Sequence, residues 1–204
     1  MSGTLASREG LVAYFGYGSL VCRSTHRTQI AAAYPARLNG WRRHWRPRPD
    51  MPGFPAALLS VRPQPDAGCD GLLIIDRAEN LAAVDAREAR YDRLQIQRAS
   101  IECAADLDGV PIYLYVAQAD IPVHPSPPLI LQSYLDVVMQ GFHAEHGDEG
   151  LRRFLDETDG FDIGLHLDRD QPLYPRALEP DDARVAAFDR VLAPYLVASS
   201  AKEV

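Results

Sequence analysis

Leu11-Val12-Ala13-Tyr14-Phe15-Gly16-Tyr17-Gly18-Ser19-Leu20 is the stretch on which the reading of this 204-residue chain turns. Leu11 to Phe15 are apolar or aromatic and include a β-branched valine, so they read as a buried strand. Gly16-Tyr17-Gly18-Ser19 follows at once and ends the strand with turn chemistry. Two glycines around a tyrosine let the backbone turn sharply and free N–H groups from any ladder. Such donors are costly if buried idle and valuable if they hold an anionic or polar ligand. A dinucleotide fingerprint needs a third glycine where Val21 stands, a phosphate loop needs a Gly-Lys pair, and a nucleophile elbow needs Gly-x-Ser-x-Gly. None of the three fits. Two readings stay open: a tight turn opening a helix near residue 24, or a loop that holds a ligand.

Outward from this stretch, 47% hydrophobic and 24% charged residues predict one globular domain over residues 1–204, large enough to bury a core. A net charge of -7 argues against a nucleic-acid partner, whose footprint is basic. The exception is Arg42-Arg43-His44-Trp45-Arg46-Pro47-Arg48, which reads as a solvated strand edge with charged gatekeepers or as an attractor of carboxylate substrates. Cys22, Cys69 and Cys103 are odd in number and lack CxxC spacing, which predicts neither a disulfide framework nor a zinc knuckle. The first residues lack the basic and apolar regions of a signal peptide, and no window approaches the roughly 20 apolar residues of a membrane span. The expectation is a soluble cytoplasmic protein without a membrane partner; a homodimer stays open.

Taken in order, residues 24–33 read as a short helix capped by Ser24 or Thr25 and ended by Pro35. A strand interrupted by Gly40 is expected over 36–45, then an irregular proline-rich crossing over 47–55. Strands over 56–61 and 71–76 follow, joined by a hairpin loop over 63–70; Leu72, Leu73, Ile74 and Ile75 make the second one central. Strands over 94–102 and 111–116 form a hairpin around Asp106-Leu107-Asp108-Gly109, with Tyr113 and Tyr115 on one face. Residues 129–145 give the best helix, with Leu131, Leu135, Val138 and Phe142 on one stripe. Asp148 caps a short helix carrying Leu151, Phe154 and Leu155, and residues 181–193 are amphipathic through Val185, Phe188 and Leu192. Strands and helices do not alternate regularly, which argues against a doubly wound sheet.

One carboxylate stands apart. Asp76-Arg77-Ala78-Glu79 resembles a capping box and starts a helix running to about residue 89. Leu81, Val84 and Glu88 fall on one stripe of it, while Asp85, Arg87 and Arg90 point elsewhere. A carboxylate on a core-facing stripe is costly unless paired or neutral, so its pKa should rise. The alternative is a helix that frays early, leaving Glu88 in solvent or paired with Arg93. His143-Ala144-Glu145-His146 has two histidines on one helical face, but no third ligand sits at a recognisable spacing, so no metal is predicted.

The combination of Tyr14-Phe15-Gly16-Tyr17-Gly18-Ser19-Leu20 after a first strand with Asp85-x-x-Glu88 and Tyr91 resembles the γ-glutamylcyclotransferase family and its ChaC-like relatives. The likeness continues in the proline-rich loop over 122–128, which leads to Ser133-Tyr134-Leu135, and in the tail from Asp168 to Arg176. The family often reads Glu-Gly where this chain has Glu88-Ala89. The resemblance implies an α+β fold, a mixed β-barrel of about six strands with helices packed outside. It implies a cofactor-free intramolecular acyl transfer that releases 5-oxoproline from a small-molecule γ-glutamyl substrate. Glu88 maps onto the catalytic acid–base. Tyr14, Phe15, Gly16, Tyr17, Gly18, Ser19 and Leu20 map onto the substrate-binding stretch, with Tyr91, Tyr113 and Tyr134 as further pocket candidates. A hydrolase or acyltransferase using the same pocket, and a non-catalytic binding protein on this fold, are the alternatives.

Overall fold

The computed structural model describes residues 9–48, 56–119, 127–179 and 181–200. In chain order the strands and helices are β1 (Leu11–Gly16), β2 (Ala32–Arg48), β3 (Ala56–Arg77), α1 (Leu81–Arg87), β4 (Tyr91–Ile96), β5 (Ile101–Cys103), β6 (Ile112–Ala117), β7 (Ile130–Leu131), α2 (Gln132–Asp156), β8 (Thr158–Asp159), β9 (Leu165–His166) and α3 (Asp182–Ser200). Seven strands form one mixed sheet in the order β4-β6-β1-β3-β2-β5, with β8 added to β2; β7 and β9 pair separately. The fold is α+β. Among the described residues the ladders follow an open path and do not by themselves close the expected mixed β-barrel. The early part of β3 nevertheless meets the far end of the path, where Tyr91 Oη donates to Leu59 O and Ala117 N donates to Ser60 Oγ.

β1 sits centrally because it can bury both faces. It runs antiparallel to β3 and parallel to β6, with Tyr14 opposite Ile74 on one side and Tyr113 on the other. Leu72, Leu73, Ile74 and Ile75 of β3 are fully buried, each contributing about 1.5–3 kcal/mol by leaving water. The same four residues overturn the expected helix over 24–33. Residues 19–21 and 23–25 form two short 3-10 turns instead, and Ala32–Pro35 pairs in register with Leu72–Ile75. Cross-strand apolar pairing outweighs the local helical signal.

The expected hairpin loop over 63–70 is also corrected: β3 is a single 22-residue strand. Its register against β2 slips between Asn39 and Trp41, whose partners are Gly68 and Pro63. Pro65 therefore lies within an exposed bulge, where a missing N–H costs no ladder bond. Nor do the strands around residues 106–109 form a hairpin. β5 pairs with β2, while β6 pairs with β1 and β4. The proline-rich crossing over 47–55 lies outside the described residues from 49 onward, as does the 122–128 loop up to residue 126.

The basic stretch is not a solvated edge. Alternation along β2 turns Arg43 and Trp45 inward, and Arg43 is fully buried. Its guanidinium lies between the rings of Phe142 and Phe154, 4.8 and 4.7 Å from their centroids. These ring faces offset part of the desolvation that pushes its pKa down. Arg42 pairs with Asp159 at 2.8 Å. The expected helices near 129–145 and 148–155 run on as α2, broken at Gly147, whose φ is 68°. Phe188 and Leu192 of α3 are buried as expected. No helix among the described residues is long and apolar enough to cross a membrane.

Candidate active site

The loop after β1 is held by its carbonyls. Arg43 Nη1 donates to Tyr17 O at 3.2 Å, Thr25 Oγ1 donates to Ser19 O at 2.9 Å, and His26 Nε2 meets Leu20 O at 2.8 Å. In a trans peptide the following N–H points opposite to the carbonyl. The N–H groups of Gly18 and Leu20 are thereby aimed away from Arg43 and Thr25, and neither makes a backbone hydrogen bond among the described residues. Gly18 is needed for a close approach rather than for a left-handed backbone. Its φ is −134°, and a Cβ there would lie 2.8 Å from Tyr134 Oη.

Glu88 caps the C-terminal end of α1, its N–H donating to Val84 O and its carbonyl accepting from Tyr91 N. α1 thus ends at the glutamate and passes directly into β4. Among the described residues none other than glycine has positive φ, so Ala89 makes this turn without the left-handed conformation that a glycine would ease. Asp76, expected to cap α1, sits before a 3-10 turn and accepts from Arg77 N and Asn80 Nδ2 instead.

These elements meet in a narrow cleft lined by Phe15, Gly16, Tyr17, Gly18, Ser19, Leu20, Leu59, Glu88, Tyr91, Tyr115 and Tyr134. The Glu88 side chain is 15% exposed. Burial raises its pKa, opposed by the guanidinium charges of Arg87 and Arg176. The pairing with Arg93 considered from sequence does not form; Arg93 pairs with Asp85 at 2.7 Å. Tyr17 Oη donates to Tyr115 O, and burial first and Glu88 second push its pKa well up. Tyr134 packs edge-on to Trp45 and Tyr174, and burial likewise raises its pKa. The Tyr91 hydroxyl is spent on Leu59 O.

Two expected site residues fall elsewhere. Tyr14 points to the opposite side of β1 from Phe15, donating to buried Asp76 at 3.3 Å. Tyr113 carries Arg93 on its ring at 4.9 Å. Because β6 runs parallel to β1, only its C-terminal end reaches the loop, and Tyr115 lies there while Tyr113 lies beside Tyr14. The sequence puts Tyr113 and Tyr115 on one face, and of the two it is Tyr115, not the expected Tyr113, that lines the cleft. Leu59 and Arg87 were missed, their only signals being a strand apolar residue and an arginine beside Glu88, while Arg43, within the basic stretch already singled out, holds the loop instead of standing at an edge.

The histidine pair is engaged separately: His143 pairs with Asp148 at 3.2 Å and His146 Nε2 meets Gly71 O at 2.8 Å. Among the described residues no group of three His, Cys, Asp or Glu could hold a metal.

No family model matches the chain and no curated protein matches it. Solved structures do. One described as a gamma-glutamyl cyclotransferase is 14% identical with a TM-score of 0.52, over 71% of this chain and 86% of that one. An uncharacterized protein from Homo sapiens is 16% identical with a TM-score of 0.53, over 72% and 87%. YkqA from Bacillus subtilis is 14% identical with a TM-score of 0.53, over 74% of this chain and 57% of its own. The chain has the fold of gamma-glutamyl cyclotransferase.

Proposed function

We propose that this chain cyclises a γ-glutamyl compound, releasing 5-oxoproline and an amine or amino acid. The observation that carries the reading is Glu88, a carboxylate of raised pKa facing a cleft whose opposite wall is the residue 16–20 loop. The fold supports the same reading. The α-amine of the glutamyl group attacks its own γ-carbonyl. A C–N bond forms, the oxygen becomes an oxyanion, and the bond to the leaving nitrogen then breaks. Glu88 takes the proton that the attacking amine loses and hands it to the leaving nitrogen, so no net proton is consumed. The Gly18 and Leu20 N–H groups stabilise the oxyanion. Tyr17, Tyr115 and Tyr134 wall the cleft and fold the glutamyl chain toward its near-cyclic pose. The nucleophile belongs to the substrate, so Ser19, which accepts from Arg87, shapes the loop and attacks nothing.

The test is product analysis by mass spectrometry with γ-glutamyl amino acids, γ-glutamylamines and glutathione. Release of 5-oxoproline from at least one of them is expected. Free glutamate would instead identify a hydrolase, and tight binding without turnover a binding protein.

A further inference from the structure

We propose that a second cavity beside the cleft binds a small oxyanion, a carboxylate or phosphate group. This cavity, of about 260 Å³, shares Leu20 with the cleft and is formed by Tyr14, residues 26–28, α1 and Arg176. Its charged walls are Arg27, Arg87 and Arg176, and no carboxylate lines it. Two acids stand close by without lining it: Asp76, behind Tyr14 and Thr28, already accepts from both hydroxyls, from Asn80 Nδ2 and from Arg77 N, and Glu88 faces the neighbouring cleft, where the charges of Arg87 and Arg176 act on it. Arg87 shares its charge with Glu88 at 3.0 Å. Arg27 and Arg176 make no ion pair among the described residues, and Arg176 Nε is buried without a hydrogen-bond partner. Burial pushes the pKa of His26 below the ordinary value, which disfavours its charged form. A buried guanidinium N–H left unpaired is costly, whereas an oxyanion accepts from two planar forks at once. Three guanidinium groups on a cavity wall to which no carboxylate contributes, two of them outside any ion pair among the described residues, are therefore a complement to an anion. Two sources supply that chemistry: a free anion, or a carboxylate on the part of a substrate that lies beyond the cleft.

Calorimetric titration of the full chain with inorganic phosphate, and separately with acetate, tests the site without reference to turnover. Saturable binding of at least one is expected, roughly tenfold or more weaker in Arg27→Gln and in Arg176→Gln, the loss of a charge-assisted hydrogen bond. Arg27→Lys should recover part of it. Displacement of the bound anion by γ-glutamylglycine, but not by γ-glutamylethylamide, identifies a substrate carboxylate as the occupant; no displacement by either identifies a free anion. Absence of saturable binding to the parent protein, or equal affinity in the folded Arg27→Gln/Arg176→Gln double variant, overturns the proposal. Because binding is read directly, its failure is distinct from failure of the cyclotransferase reading.

Discussion

Arg87 Nε stands 3.0 Å from Glu88 Oε1, while Nη2 of the same guanidinium donates to Ser19 Oγ at 3.2 Å. Nη1 reaches Thr25 O at 2.8 Å. One side chain, neighbouring the carboxylate in sequence, thus ties it to the loop across the cleft. Burial and cation act on Glu88 in opposite senses, and burial prevails.

Replacing Arg87 by glutamine removes the opposing charge, so the pKa of Glu88 should rise further. If Glu88 must be ionised to accept the amine proton, the acidic limb of the pH profile of kcat/KM should move to higher pH. A profile unchanged in position, with activity merely lowered, would assign Arg87 to loop support alone.

The strands and the loop were largely legible because they depend on local chemistry. β1 and the apolar half of β3 announce burial in their composition, and Gly16-Tyr17-Gly18-Ser19 announces a turn. Helical spacing put Leu81, Val84 and Glu88 on one stripe, but whether Glu88 followed it depended on where the helix ends, and α1 reaches as far as Arg87 with Glu88 as its cap. What the sequence hid was pairing. That residues 32–35 join a strand, that β5 leaves β6 for β2, and that Tyr115 rather than Tyr113 reaches the loop are matters of long-range register. Arg43 was misread because charge signals solvent unless aromatic faces wait for it, and Phe142 and Phe154 lie about a hundred residues away.

Gly18→Ala should disturb the cleft sterically, since its Cβ would fall 2.8 Å from Tyr134 Oη and 3.4 Å from Leu59 Cδ2. Activity should fall roughly tenfold or more through misplacement of the loop. Removing the obstructing oxygen with Tyr134→Phe in the same chain should restore part of it. If the double variant is no better than Gly18→Ala alone, the clash is not the cause.

Asp85 links the surface to the cleft, accepting from Tyr115 Oη and from Arg93 Nη1, each at 2.7 Å. Tyr115→Phe and Asp85→Ala should each lower stability by about 1 kcal/mol, the net worth of one hydrogen bond. The double variant should lose less than the sum, because the Tyr115–Asp85 bond is removed by either change, while Asp85→Ala also releases Arg93. Fully additive losses in denaturant titrations would mean that the contact contributes nothing in solution.

Glu88→Gln keeps the size of the side chain and removes the base. Formation of 5-oxoproline should fall by two or more orders of magnitude, roughly the scale of general acid–base catalysis, while substrate still binds. Stability should move the other way. A carboxyl whose pKa is raised on folding binds its proton more tightly in the native state, so its contribution is fully present below the ordinary value of 4.5 and is lost as pH rises through the folded value. Above that range the parent protein carries a poorly solvated anion that glutamine replaces with a neutral amide. The melting temperature of Glu88→Gln relative to the parent should therefore climb as pH is raised from about 4.5, reaching a plateau above the folded pKa. Lost turnover with such a pH-dependent gain separates a catalytic carboxylate from a structural one. A Glu88→Gln protein that cyclises substrate at the parent rate would sink the mechanism, and a melting-temperature difference independent of pH would show that Glu88 titrates as it does in water.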